Sequence, residues 1–183
     1  MIEVEKRFHL TEEQEKAMLD GAEFQGEKLI HDIHYDYPDN ELSKKGLRIR
    51  RRNGNFELKI RTASGVHEEI EDKKEIEKYL GVADLEKFVQ DDLVVFMDYQ
   101  TNRLEYRKGD FVIDLDECDF GNGTKYKVCE IEILVSDEAM VKGAEDKIFD
   151  FVKEFGGETK KALPKGKEYL KLLKPEVYRE LYE

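Results

Sequence analysis

The stretch Ile2-Glu3-Val4-Glu5-Lys6-Arg7-Phe8 alternates apolar and charged residues, and the reading of the whole chain starts from that alternation. Side chains at i and i+2 of a strand share a face, roughly 6–7 Å apart along the chain. Glu3, Glu5 and Arg7 therefore fall on one face, with Ile2, Val4 and, past Lys6, Phe8 on the other. Two carboxylates held side by side repel unless something positive lies between them, and a divalent metal is the usual solution. Taken alone, the stretch reads first as a half-exposed strand with a solvated acidic face. The strands further along reverse that reading.

Leu47-Arg48-Ile49-Arg50-Arg51-Arg52 and Phe56-Glu57-Leu58-Lys59-Ile60-Arg61 flank Asn53-Gly54-Asn55, and Asn-Gly between two alternating runs predicts a hairpin. Arg48, Arg50 and Arg52 share a face of its first arm, and Glu57, Lys59 and Arg61 a face of its second. The apolar Leu47, Ile49, Phe56, Leu58 and Ile60 lie opposite. Residues 66–71 resume the alternation, with Glu69 and Glu71 in phase. Arg103, Glu105 and Arg107 share a face in Asn102–Arg107, and Asp114 and Asp116 do so in Phe111–Glu117. Glu130 and Glu132 share one in Tyr126–Val135, opposite Ile131 and Ile133. Glu27–Asp36 is a further strand, stopped by Pro38-Asp39-Asn40. His31 and His34 differ in parity there, so they do not form a joint metal site and read as surface or partly buried polar residues.

Helices are predicted from a capping box at Thr11-x-x-Gln14, over Asp72–Leu80 and Asp84–Phe88, and near Tyr169–Leu173 and Glu176–Leu181. A longer helix follows the N-cap at Ser136-Asp137, with Met140, Ala144, Ile148, Phe151, Val152 and Phe155 on a helical period. It is the best candidate to cover an apolar sheet face. Residues 160–167 read as a basic loop containing Pro164.

At 183 residues the chain is long enough for a sizeable core, and it reads as a single domain, 1–183. A formal net charge of -12 excludes broad attraction to nucleic acid or to an anionic membrane, so any phosphate chemistry must be local. No apolar run approaches membrane-spanning length, and the N-terminus has the wrong charge pattern for a signal peptide. Cys118 and Cys129 lack metal-ligand spacing and read as reduced thiols of a cytoplasmic protein.

Strand after strand repeats a charged face and an apolar face. Either the apolar faces form the core and the charges are solvated, or the sheet curls round its charges and helices cover the outside. Solvated faces usually mix signs, whereas these strands separate arginine pairs from carboxylate pairs. Glu3/Glu5, Asp114/Asp116 and Glu130/Glu132 suit a hard divalent cation, and Arg48, Arg50, Lys59 and Arg103 suit phosphoryl oxygens. Acids that bind a cation and bases that bind an anion together describe a metal–polyphosphate site. Removing Arg48 and Arg50 is then expected to weaken polyphosphate binding without loss of stability, because their mutual repulsion is relieved.

These motifs resemble the CYTH domain, or triphosphate tunnel metalloenzyme, family. Its N-terminal Glu-x-Glu-x-Lys signature is matched by Glu3-Val4-Glu5-Lys6-Arg7, with Arg at the Lys position. The resemblance continues in order through Leu47-Arg48-Ile49-Arg50, Glu57-Leu58-Lys59, Glu69, Arg103, Asp114-Leu115-Asp116, Glu130-Ile131-Glu132 and Lys165. Asp32 to Pro38 with Glu41-Leu42-Ser43, Asp119-Phe120-Gly121 and Pro164-Lys165 through Lys174-Pro175 are most similar to the thiamine-triphosphatase branch.

The resemblance implies an α+β, mainly β fold, an eight-stranded antiparallel closed barrel with a charged interior and helices outside. It also implies hydrolysis of the terminal phosphoryl group of thiamine triphosphate or inorganic tripolyphosphate with Mg²⁺ or Mn²⁺. Glu3, Glu5, Asp114, Asp116, Glu130 and Glu132 would bind metal, with Asp114 weighted lower. Arg48, Arg50, Lys59, Arg103 and Lys165 would bind phosphate, and Arg7, Glu130, Glu132 and Lys165 would serve catalysis. Lys167 is the alternative to Lys165. Arg7 keeps the charge and face of the signature Lys but is effectively never neutral and has a wider head. The alternatives are an adenylate cyclase of the same fold and a non-catalytic polyphosphate- or nucleotide-binding module. The partner expected is a small triphosphate, neither nucleic acid nor membrane, and the protein is expected to be a monomer or homodimer.

Overall fold

The computed structural model describes residues 2–61, 67–156 and 160–183. Among these residues nine strands form one mainly antiparallel sheet in the order β5-β4-β3-β2-β6-β7-β8-β1-β9. They are β1 (Ile2–His9), β2 (Glu23–Asp36), β3 (Leu47–Arg52), β4 (Asn55–Arg61), β5 (His67–Ile70), β6 (Val94–Lys108), β7 (Phe111–Asp119), β8 (Lys125–Val135) and β9 (Lys160–Lys161). The helices are α1 (Glu12–Leu19), α2 (Glu41–Lys44), α3 (Lys73–Leu80), α4 (Leu85–Asp92), α5 (Val141–Lys153), α6 (Lys165–Leu173) and α7 (Pro175–Tyr182).

The expected eight-stranded closed barrel is therefore corrected to an open nine-stranded sheet among the described residues. Closing a sheet requires its two outer strands to exchange ladder hydrogen bonds. Here the side of β1 away from β8 carries the two-residue β9, with Phe8 opposite Lys161 and His9 opposite Lys160. At the other end of the order stands the four-residue β5. Residue 66, placed by the sequence at the start of that strand, lies outside the described residues.

The chain divides into two compact units, Met1–Leu29 with Thr101–Glu168, and Ile30–Gln100 with Tyr169–Glu183. In the first, Val4, Phe8, Ile113, Ile131 and Ile133 pack against Ala144, Ile148, Phe151 and Val152 of α5. This is the apolar face of β1, β7 and β8 covered by a helix, as the 3.6-residue period predicts. Full burial of Ile113, Ile131 and Ile148 contributes about 1.5–3 kcal/mol each. Met140 falls off that face. It lies in a short 3₁₀ turn capped by Asp137, and α5 starts one residue later. The charged faces of β1, β7 and β8 turn away from α5.

In the second unit, Ile49, Phe56 and Leu58 of the hairpin pack with Leu42, Ile76, Leu85, Val89 and Leu93. Asn53 and Gly54 both take positive φ, 49° and 89°, as a two-residue hairpin turn requires. Asp72 caps α3 through Glu75 N, and Asp84 caps α4 through Glu86 N and Lys87 N. Asp36 accepts hydrogen bonds from Leu42 N (2.9 Å), Ser43 N (3.0 Å) and Ser43 Oγ (2.6 Å), which fixes α2. That helix follows the turn at Pro38-Asp39-Asn40, in a stretch to which the sequence reading assigned no element. No described helix is long and apolar enough to cross a membrane.

Candidate metal and phosphate site

Strand register in the first unit sets the site. Arg7 lies opposite Glu130 and Glu5 opposite Glu132 between β1 and β8, while Asp114 lies opposite Glu130 between β7 and β8. Residues directly opposite have Cβ atoms about 4.5–5.5 Å apart, so these side chains meet without long reach. Arg103 arrives from β6 and Lys165 from the first residue of α6.

Glu130 is the hub. It accepts from Arg7 Nε at 2.8 Å, Arg103 Nη2 at 2.6 Å and Lys165 Nζ at 2.8 Å. Asp116 accepts the guanidinium of Arg103 in bidentate fashion, at 2.8 and 2.7 Å, and also pairs with Lys165. Arg103 reaches Asp114 as well, and Arg7 reaches Glu5. Burial pushes the Glu130 carboxyl up, but Lys165, Arg7 and Arg103 together outweigh it and hold it well below the usual range. Burial likewise opposes the charge on Lys165, and Glu130 and Asp116 more than restore it.

The remaining carboxylates behave in the opposite way. Glu132 is pushed up to about 8 by burial and by Glu3, Asp114 and Glu5. Glu5 rises to about 7, through burial and Glu130 against the pull of Arg7. Asp114 rises to about 6, chiefly by burial. Burial and crowding thus favour the protonated forms of these carboxyls, even though Arg7 pairs with Glu5 and Arg103 with Asp114.

Two groups of three acids have oxygens within 4.8 Å of one another: Glu3, Glu5 and Glu132, and Asp114, Glu130 and Glu132. Glu132 belongs to both. Among the described residues, Asp114 Oδ1 is buried with no hydrogen-bond partner. Oxygen-only donors, mutual repulsion and an unsatisfied buried oxygen fit a hard divalent cation. Asp116, which the sequence placed with the metal ligands, falls in neither group and instead pairs with Arg103 and Lys165.

The second unit gathers cations. Arg50 donates from Nε to Glu57 (2.6 Å) and from Nη2 to Glu69 (3.0 Å), and Lys59 pairs with Glu69 at 3.0 Å. Arg52 grips Asp32 with two hydrogen bonds of 2.9 Å. Arg48 lies opposite Lys59 on the hairpin. Burial and the neighbouring Arg50 push the Lys59 ammonium down. Guanidinium groups oriented by carboxylates are preorganised for phosphoryl oxygens.

Sequence reasoning put Arg52 and Glu57 on the charged faces of the hairpin without assigning them a site role, it missed Asp32, and it misread His34. His34 is buried, stacked on Tyr99 at 5.7 Å, and held neutral by burial and by Arg50, with its pKa down at about 3. The signal was present: Asp32, His34 and Asp36 share parity in β2, and register sets Asp32 opposite Arg52 and His34 opposite Arg50. His31 is the surface residue expected, paired with Asp98 at 2.7 Å.

Comparison with known proteins gives one family. The CYTH domain model matches residues 1–166. No curated protein matches the chain. Among solved structures, a Pyrococcus horikoshii protein is 24% identical, with a TM-score of 0.63 over 95% of this chain and 99% of its own. A Hippeastrum protein, studied as an adenylyl cyclase candidate and described as having a dominant triphosphatase activity, is 21% identical. Its TM-score is 0.59 over 97% of this chain and 94% of its own. A Vibrio parahaemolyticus protein, also an adenylate cyclase candidate, is 18% identical, with a TM-score of 0.61 over 93% and 98%. At these identities the likeness establishes the fold.

Proposed function

This chain belongs to the CYTH domain family, and from that premise we propose that it hydrolyses the terminal phosphoryl group of a small triphosphate, thiamine triphosphate or inorganic tripolyphosphate, with Mg²⁺ or Mn²⁺. The observation that carries the reading is the pair of acidic groups sharing Glu132, set beside Arg7, Arg103 and Lys165. Glu3, Glu5 and Glu132 would hold one ion, and Asp114, Glu130 and Glu132 a second. When bound, the metal supplies charge neutralisation at the phosphoryl oxygens and a water of lowered pKa.

The chain's own residues do the positioning. Arg103 keeps Asp114, Asp116 and Glu130 in fixed array, and Arg7 does the same for Glu5 and Glu130. Lys165 presents an ammonium that exchanges a carboxylate for a phosphoryl oxygen as substrate enters. Within the second unit, Arg48, Arg50 and Lys59 would bind phosphoryl oxygens. Water attacks the terminal phosphorus, the bridging P–O bond breaks, and the shorter phosphate leaves as an anion without need of a protein acid. Catalysis is then mostly positioning and electrostatics. Arg7, permanently charged, serves as an organiser of carboxylates and not as a proton carrier.

Phosphate release from thiamine triphosphate, tripolyphosphate and ATP with Mg²⁺, run beside a cyclic AMP assay, tests the proposal. Release from a small triphosphate that stops on chelation supports it. Cyclic AMP formation would replace hydrolysis with cyclisation, and binding without turnover would make the chain a binding module.

A further inference from the structure

Lys165 reaches two buried carboxylates, yet its backbone follows a proline in a segment joined to the sheet by few bonds. Residues 160 and 161 pair with His9 and Phe8, and Ala162 N donates to Arg7 O at 3.0 Å. After that, a side chain supplies the next tie before α6. Tyr126 Oη donates to Leu163 O at 2.7 Å. Pro164 has no N–H and cannot anchor the turn itself. Its carbonyl is already engaged by Glu168 N at 3.0 Å, inside the helix that Lys165 opens.

Tyr126 is built to hold this bond. It sits on β8, four residues from Glu130 and on the same strand. Its ring is buried, stacked on Phe120 at 5.8 Å and edge-on to His9 at 5.6 Å. Burial, with Glu168 beside it, pushes the phenol up, so the hydroxyl remains a donor across the physiological range.

We propose that Tyr126 is a positioning residue for the proposed triphosphatase reaction: through the Leu163 carbonyl it ties α6 to the strand that carries Glu130, and so fixes where the Lys165 ammonium stands. The inference rests on Lys165 serving the site described above. Tyr126 itself touches no reacting atom. Its strand and the carboxylate that Lys165 meets are one rigid element, so the hydroxyl sets the distance between the two ends of the Lys165–Glu130 pair.

Tyr126→Phe keeps the ring contacts and removes only the donor. A misplacement of about 1 Å costs on the order of a hundredfold in rate, so the expected result is a fall in kcat of roughly ten- to a hundredfold, with KM much less altered and the melting temperature nearly unchanged. The decisive arm is a double-mutant cycle. In a Lys165→Ala background, Tyr126→Phe should cost nothing further, whereas a loss that simply multiplies would overturn the proposal. Replacement of Tyr126 by para-aminophenylalanine, which retains a donor at the ring tip, should restore kcat. An arm independent of turnover is hydrogen exchange at the ¹⁵N-labelled Lys165 ammonium in the metal-free protein. Tyr126→Phe should speed it several-fold, and unchanged exchange would overturn the inference even if wild type proves to hydrolyse nothing. Absence of turnover in wild type with accelerated exchange would instead sink the functional reading and leave the tether standing.

Discussion

Lys165 Nζ and Glu130 Oε2 stand 2.8 Å apart, 35 residues separated in sequence, and both are largely withdrawn from solvent. Glu130 serves three cations at once, so it is a structural hub as well as a candidate ligand. Removing one member of a buried ion pair costs about 3–5 kcal/mol, because the partner is left uncompensated. Glu130→Gln should therefore lower the melting temperature by roughly 10 °C as well as abolish turnover. Thermal melts at pH 7 check this, and an unshifted melting point would mean the three cations are satisfied elsewhere.

Glu132 should behave differently. Among the described residues no ion pair holds it, and burial with three neighbouring carboxyls pushes it up to about 8. Glu132→Gln removes a repulsive charge, so the metal-free variant should melt no lower than wild type, and higher at pH 8. Because Glu132 belongs to both acidic groups, the same variant should lose the stabilisation that Mg²⁺ gives wild type by mass action. A full Mg²⁺ shift retained in the variant would remove Glu132 from the ligand set.

The pH dependence follows from the same crowding. Between the ordinary value of 4.5 and about 8, the unfolded chain gives up the Glu132 proton while the folded chain keeps it. The folded state then binds more protons, and stability falls as pH rises. Glu5, raised to about 7, adds in the same direction. Glu130, held low, contributes stability present above 4.5 and lost as pH falls through its depressed value. Chelator-treated protein should accordingly melt at a lower temperature at pH 8 than at pH 5.5. With Mg²⁺ the shift should grow with pH, as protons cease to compete with the ion. A melting temperature of the metal-free protein that climbs steadily from pH 5.5 to 8 would contradict the crowding.

Much of this was legible in the chain. Period-2 alternation places Glu3, Glu5, Asp114, Glu130 and Glu132 on charged strand faces, and Asn53-Gly54 fixes the hairpin register that sets Arg50 opposite Glu57. Closure of the sheet was not legible, because it depends on which outer strands bond, and Lys160 and Lys161 show no alternation that marks a strand. Nor was the partner of each charge. Parity says which face Asp116 occupies but not that Arg103 and Lys165 claim both its oxygens. A continuous β6 was hidden by Tyr99 to Thr101, where the alternation of charge lapses although the backbone stays extended.

Arg50 decides the last point. Were the hairpin arginines unpaired, removing them would relieve repulsion at no cost in stability. The structure instead buries Arg50 against Glu57 and Glu69, at 2.6 and 3.0 Å. Glu57 is already pushed up, by burial first, despite the opposing pull of Arg50. Arg50→Ala would leave these two acids facing each other with Lys59 and Arg52 nearby, so it should destabilise the metal-free protein by about 3 kcal/mol. Adding Glu57→Gln and Glu69→Gln should recover most of that stability, because the stranded charges go with their partner. It should not recover the thermal shift produced by Mg²⁺ with tripolyphosphate, which needs the guanidinium itself. Melting curves of the single and triple variants, each with and without ligand, separate the two roles. A triple variant that responds to tripolyphosphate as wild type does would leave Arg50 with a structural role alone.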